Sequence, residues 1–298
     1  MILTNYQQFL QLNDCKQLLG LEDAFAELYP SSPAPYLRII LSQSVAETTS
    51  DYQNDVPSVL LPSDQAKAAT EDWVNNFLGK YRLCPYTSSV SRAAVGLSTV
   101  GVPVGGVHVR VECTKSEISQ RQLKAAELVS SFWSEVVALI QSKQEEWATS
   151  LIVFPQYDDE FESFVNVCDK IVEPTVTATQ ATNYIGRAWF HPLYDADAVG
   201  HSEVIAGHAV PHKMVEGFMK SLSSSSGKGD QTLQYDELVK ANNRVRQTPH
   251  ATINILRRSQ LTAAGEYEKG LGVKRPKANS IYVRNAARLY EVTKNTNI

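Results

Sequence analysis

The chain has 298 residues, of which 43% are hydrophobic and 20% charged, a composition that supports a globular fold with a sizeable core. Its formal net charge of -4 and pI near 5.9 speak against a protein that holds nucleic acid by neutralising phosphates. No apolar run approaches the roughly 20 residues needed to span a bilayer, and Met1 to Gly20 contain no signal-peptide core. A soluble, intracellular protein is expected, cytoplasmic unless an organelle houses it. Its four cysteines, Cys15, Cys84, Cys113 and Cys168, form no CxxC pair, which fits reduced thiols better than a disulfide framework or a zinc ribbon.

Residues 1–61 read as an N-terminal extension that packs on a main domain. Leu10, Leu12, Leu18, Leu19 and Leu21 suit a helix, and Pro30, Pro33 and Pro35 then break the pattern. Residues 62–298 read as a single α+β domain. Ser63 or Asp64 caps a helix with Ala66, Ala69, Trp73, Phe77 and Tyr81 on one side, stopped at Cys84–Pro85. After a Gly/Pro-spotted loop, Val107-His108-Val109-Arg110-Val111 alternates as a strand does. Thr114 to Glu117 is a capping box, opening a long helix with Ala125, Leu128, Val129, Phe132, Val136, Leu139 and Ile140 inward. Leu151–Phe154 is a continuous apolar run, read as an interior strand ended by Pro155. Asp158 or Asp159 then caps a helix that buries Phe161, Phe164, Val165, Cys168 and Ile171, and Tyr184–Phe190 is a third strand.

Strand–helix–strand–helix–strand implies a mixed β-sheet covered by helices on at least one face, ferredoxin-like or related. Residues 196–233, with the Ser/Gly-rich run Ser223–Gly229, read as a flexible insertion. A polar helix follows over Gln234–Arg246. Thr248-Pro249 then has the form of a helix N-cap followed by proline at the first helical position, with Ile253, Leu256 and Leu261 behind it. A strand from Thr252 to Leu256 competes with that reading. A last helix spans about Ser280 to Lys294.

Three constellations can carry chemistry. Cys84, in Leu83-Cys84-Pro85-Tyr86, becomes nucleophilic if a cation or imidazole lowers its pKa; otherwise it is a structural thiol at a helix stop. His191, in Phe190-His191-Pro192-Leu193-Tyr194, follows a strand end, where open sheets face their ligands. Its plain alternative is a half-buried histidine bonded to a backbone carbonyl. In the segment Arg244-Val245-Arg246-Gln247-Thr248-Pro249-His250, continued by Asn254 and Arg257, a helix capped by Thr248 would offer free N–H groups to an anion, strengthened by the arginines. Capping plus solvated arginines is the plain alternative. His201, His208 and His212 match no zincin pattern.

In order and spacing these motifs resemble an uncharacterised family, the domain-of-unknown-function family fourteen-fifteen. The resemblance rests on Trp73 with Leu83-Cys84-Pro85-Tyr86, on Phe190-His191-Pro192-Leu193-Tyr194, and on Arg246-Gln247-Thr248-Pro249-His250 with Ile255-Leu256-Arg257. It covers about Pro62 to Leu261. Gln247 interrupts the family's Arg-Ser pair and Ala251 replaces a second proline, which leaves the family arginine as Arg244 or Arg246. The family supplies no known activity; it implies that the three motifs share one site. The expectation is a small-molecule enzyme for an anionic substrate, a carboxylate or phosphate. Cys84, His191 and His250 would do the chemistry, and Tyr194, Arg246, Thr248, Asn254 and Arg257 would hold the substrate. The cofactor is unknown, and the alternatives are a non-catalytic protein gripping an anionic ligand or a protein partner and, more remotely, a Cys84–His191–His250 metal site.

Overall fold

A computed structural model describes residues 62–112, 121–195, 212–225, 234–270 and 281–296. The N-terminal extension, the capping box at Thr114–Glu117, and His201 and His208 lie outside the described residues. Helix α1 (Pro62–Asp72) runs directly into a π-helical turn, Trp73–Gly79. Strand β1 (Gly106–Val111), helix α2 (Arg121–Gln141) and strand β2 (Trp147–Val153) follow. Next come α3 (Phe161–Val167), a π turn (Cys168–Val172), α4 (Glu173–Ala178) and β3 (Ile185–Phe190). The chain continues with α5 (His212–Ser225), α6 (Tyr235–Arg244), β4 (Thr252–Arg257), α7 (Arg258–Gly270) and α8 (Ile281–Thr296).

The four strands form one mixed sheet in the order β1-β2-β4-β3. β1 and β2 are parallel, and β4 is antiparallel to both β2 and β3. β1, β2 and β3 therefore all point the same way, with β4 inserted against them. The α+β class and the mixed sheet are as expected, whereas the succession differs from the βαββαβ of a ferredoxin-like unit: helices separate β1, β2 and β3, and β4 arrives last.

Alternation along the strands feeds two cores. One face carries Ile152, Ile185, Trp189, Ile253 and Ile255 against Leu128, Phe132, Val136 and Leu139 of α2 and Phe164, Ile171 and Val176 of the α3–α4 segment. The other carries Val107, Val109, Leu151, Val153, Ala188 and Phe190 against Trp73 and Val74, with Ala263, Ala264 and Tyr267 of α7 beside them. Helices thus cover both faces. A register shift between Gly106 and Val107 leaves Trp147 on the α2 side and Ala148 on the other, as a bulge that breaks the period of two must. On β3, a Cβ at Gly186 would stand 2.1 Å from Leu261 Cδ1; the missing side chain lets α7 lie against the sheet.

A third cluster joins Leu83 to α5, α6 and α8 through Val215, Met219, Leu238, Ala241, Val283, Ala286 and Tyr290. Residues 212–225 of the expected insertion are therefore a helix with a buried face, and most of Ser223–Gly229 lies outside the described residues. The N-cap reading of Thr248-Pro249 is corrected: no helix begins there, and Thr252–Arg257 is a strand paired on both sides. The β-branched alternation Thr252, Ile253, Ile255 and two waiting neighbours outweigh a local capping signature. Among the described residues no helix is long and apolar enough to cross a membrane.

Candidate functional site at the carboxyl edge of the sheet

Because three strands run in parallel, their carboxyl ends share one edge, the position at which open sheets receive ligands. The turn after β2 brings Tyr157 and Asp158 to this edge, and the turn after β3 brings His191 and Tyr194. β4 is antiparallel, so the segment preceding it, Arg246 to Ala251, arrives at the same edge.

His191 is 1% exposed and fully engaged. Its Nδ1 accepts the Leu193 N–H at 3.1 Å, so Nε2 carries the proton and donates to the Tyr157 carbonyl at 2.9 Å. Burial pushes its pKa down, against the Tyr157 hydrogen bond and the charges of Asp158 and Asp159. Both nitrogens are spent on backbone, so His191 is placed to close the turn rather than to move protons. Its backbone N–H donates to the Arg246 carbonyl at 3.2 Å, tying the β3 turn to the last motif.

Arg246 is 0% exposed, and its guanidinium lies 5.2 Å from the Phe190 ring centroid and 5.4 Å from that of Tyr194. Tyr194 is itself buried, and its carbonyl accepts from Gln247 Nε2 at 3.2 Å. Arg244 instead sits exposed over Phe77 at 5.2 Å. Arg246 is therefore the arginine of the edge.

Asp158 joins β2 to β4. Its Oδ1 accepts the Ala251 N–H at 2.9 Å, and its Oδ2 lies 2.7 Å from His250 Nδ1. This fixes Nδ1 as the protonated nitrogen and leaves Nε2 as the acceptor, bonded to no described residue. The two side chains are 22% and 27% exposed. Thr248 donates its hydroxyl to the His250 carbonyl at 2.6 Å, and Thr252 does the same at 2.8 Å; Thr248 shapes this turn and caps no helix.

The structure thus gathers His191, Tyr194, Arg246, Thr248 and His250, and places Asn254 and Arg257 further along β4. Arg257 stands seven positions beyond His250, about 23 Å along the strand. There its Nε and Nη2 donate to the Trp147 carbonyl at 3.1 and 2.9 Å, and Nη2 also reaches the Ser142 carbonyl and hydroxyl at 2.9 Å. Asn254, mid-strand, accepts the Thr149 hydroxyl at 2.8 Å. Cys84 hydrogen-bonds with Tyr86 and Thr87; burial pushes its thiol up, and those bonds offset it only in part. Among the described residues no cation or imidazole acts on it, contrary to what an activated nucleophile requires. Among the described residues no three His, Cys, Asp or Glu side chains are grouped to hold a metal ion, so the Cys84–His191–His250 trio is not assembled.

Sequence reasoning passed over Asp158, read as a helix cap. The helix after it starts at Phe161 without a side-chain cap, and only the pairing of β2 with β4 reveals what the carboxylate holds. Residues 65–204 match a family described as a protein of unknown function (DUF1415). The chain resembles that family. The matched span contains Trp73, the Cys84 loop and His191 to Tyr194, and ends before Arg246. No curated protein and no solved structure matches the chain.

Proposed function

We propose that this protein is a small-molecule enzyme in which His250, oriented by Asp158, exchanges a proton with an anionic substrate. The observation that carries this reading is the Asp158–His250 couple: a carboxylate held by a backbone amide fixes the tautomer and leaves Nε2 as the acceptor of a partly exposed imidazole. A guanidinium stays charged even when buried, and Arg246 in its aromatic slot supplies a positive field that water screens weakly there. That field supports a carboxylate or phosphate ester as substrate, against the opposing charges of Asp158 and Asp159. Cys84 and His191 have no chemical role in this reading, and neither Asn254 nor Arg257 touches the substrate. The second reading is a binding protein that uses the same edge without turnover.

The test is a thermal-shift screen of small carboxylates and phosphate monoesters on the full chain, followed by NMR of each hit over hours of incubation. At least one anion should raise the Tm of the wild type and be converted, while His250→Gln should bind it without conversion. Binding without conversion by either protein selects the second reading. If no anion raises the Tm, or if His250→Gln converts it at the wild-type rate, the enzyme proposal is overturned.

A further inference from the structure

A second histidine–carboxylate couple lies on the outer strand β1, on the α2 face of the sheet. His108 of β1 places Nδ1 2.6 Å from Oε1 of Glu135 on α2. Glu135 is 1% exposed. Burial pushes its pKa up, but the hydrogen bonds of His108 and Ser150, together with the charge of Arg110, more than reverse this and hold it below the usual carboxylate range. The His108 ring lies flat on Trp147, centroids 3.9 Å apart and planes 7° from parallel, so it cannot swing away. Its side chain is 30% exposed, and no described residue bonds Nε2. Arg110, two residues along the same face, donates to Glu112 through Nε and to Ser134 through Nη1 at 3.3 Å, with Nη1 3.6 Å from Glu135. Its Nη2 is engaged by no described residue.

A buried carboxylate such as Glu135 does little for stability, since its desolvation offsets what its partners return. What this arrangement does achieve is an acceptor, Nε2, and a donor, Nη2, on residues two apart on one strand face, whose backbones stand about 7 Å from each other. Two carboxylates, Glu112 and Glu135, against one permanent cation, Arg110, make the locality unfavourable for an anion. We infer that His108 and Arg110 form a second binding site, for a neutral ligand with a hydroxyl beside a carbonyl. The hydroxyl donates to His108 Nε2 and the carbonyl accepts from Arg110 Nη2. Glu135 is a positioning residue: it holds the tautomer that keeps Nε2 an acceptor.

The test uses alkylation of the full chain with its thiols first blocked, read by peptide mass spectrometry. His108 Nε2 displaces iodide from iodoacetamide, forming a nitrogen–carbon bond. His108 should react far faster than His191, whose nitrogens are both occupied, and faster with iodoacetamide than with anionic iodoacetate. Glycolamide, neutral and carrying the required pair of groups, should slow the labelling about threefold at twice its dissociation constant; isosteric glycolate should not. Arg110→Met should abolish the protection, each variant being compared with its own unprotected rate, and Glu135→Gln should slow labelling about tenfold, circular dichroism verifying the fold of each variant. No protection by glycolamide, or stronger protection by glycolate, overturns the site, and labelling no faster than that of His191 overturns the free acceptor.

Discussion

Replacing His191 with leucine separates a structural histidine from a catalytic one, because the two nitrogens have unequal alternatives. The Leu193 N–H would lose its acceptor, Nδ1, and an orphaned donor costs about 1–3 kcal/mol. The Tyr157 carbonyl would lose Nε2–H but keep the Glu160 N–H at 2.8 Å, so only a net hydrogen bond of about 0.5–1.5 kcal/mol goes with it. Leucine retains the apolar contact with Phe161 and Phe164, whose rings lie 5.0 and 5.5 Å from the imidazole. The sum is about 2–4 kcal/mol of lost stability, measurable by urea denaturation at pH 7.5. Asparagine, whose amide oxygen stands in for Nδ1, should restore more than glutamine, whose amide nitrogen stands in for Nε2.

The pH dependence sharpens the test. The folded-state pKa of His191 is depressed, so below about 6.5 the unfolded chain takes up the proton first. The stabilisation is complete above that pH and drains away as pH falls toward the folded-state value. The gap between wild type and His191→Leu should therefore narrow from pH 7.5 to pH 5.5. A leucine variant as stable as wild type, or a gap that widens on acidification, would refute the assignment.

Two further outcomes follow from the relocation of the expected site residues. Arg257→Met should cost about 2 kcal/mol, one charge-assisted hydrogen-bonding group lost at a half-exposed position, while leaving any anion-induced Tm shift intact; loss of that shift would return Arg257 to the site. Cys84 should label with iodoacetamide slowly at neutral pH and accelerate only above its ordinary value of about 8.5, with no change in His191→Leu. Rapid labelling near neutrality would show that the thiol is activated after all.

The apolar runs made most of the sheet legible in advance. Val107–Val111, Leu151–Phe154 and Tyr184–Phe190 differ from β1, β2 and β3 by a few residues at their ends. β4 stayed ambiguous because Thr248-Pro249 is good local chemistry for two structures, and only strand partners far away in the chain decide between them. The loop of Cys84 was equally opaque. A Cβ at Gly79 would stand 2.2 Å from the Ser88 carbonyl oxygen, and one at Gly96 2.0 Å from that of Pro85. Backbone approaches close that loop, and they leave no hydrophobic pattern to read. His108 and Arg110 were visible as the polar side of an alternating strand. Glu135 was visible as a charge among the inward positions Phe132, Val136 and Leu139, and their meeting depends on how α2 lies over β1.

The insertion of β4 between β2 and β3 explains where its polar residues lie. Had the last strand joined parallel, Arg257 would stand at the carboxyl edge and His250 at the opposite end. Running antiparallel, it sends Arg257 to lock the α2–β2 corner and delivers His250 to Asp158. The backbone of the same segment is hydrogen-bonded to His191 through the Arg246 carbonyl, so His191 is committed to holding the turn that frames the edge. The polar residues thus divide between the carboxyl edge and the opposite end of the strand. The carboxylate partner of His250 is itself fixed by the neighbouring amide of Ala251. Strand direction, which no local pattern encodes, sets that division.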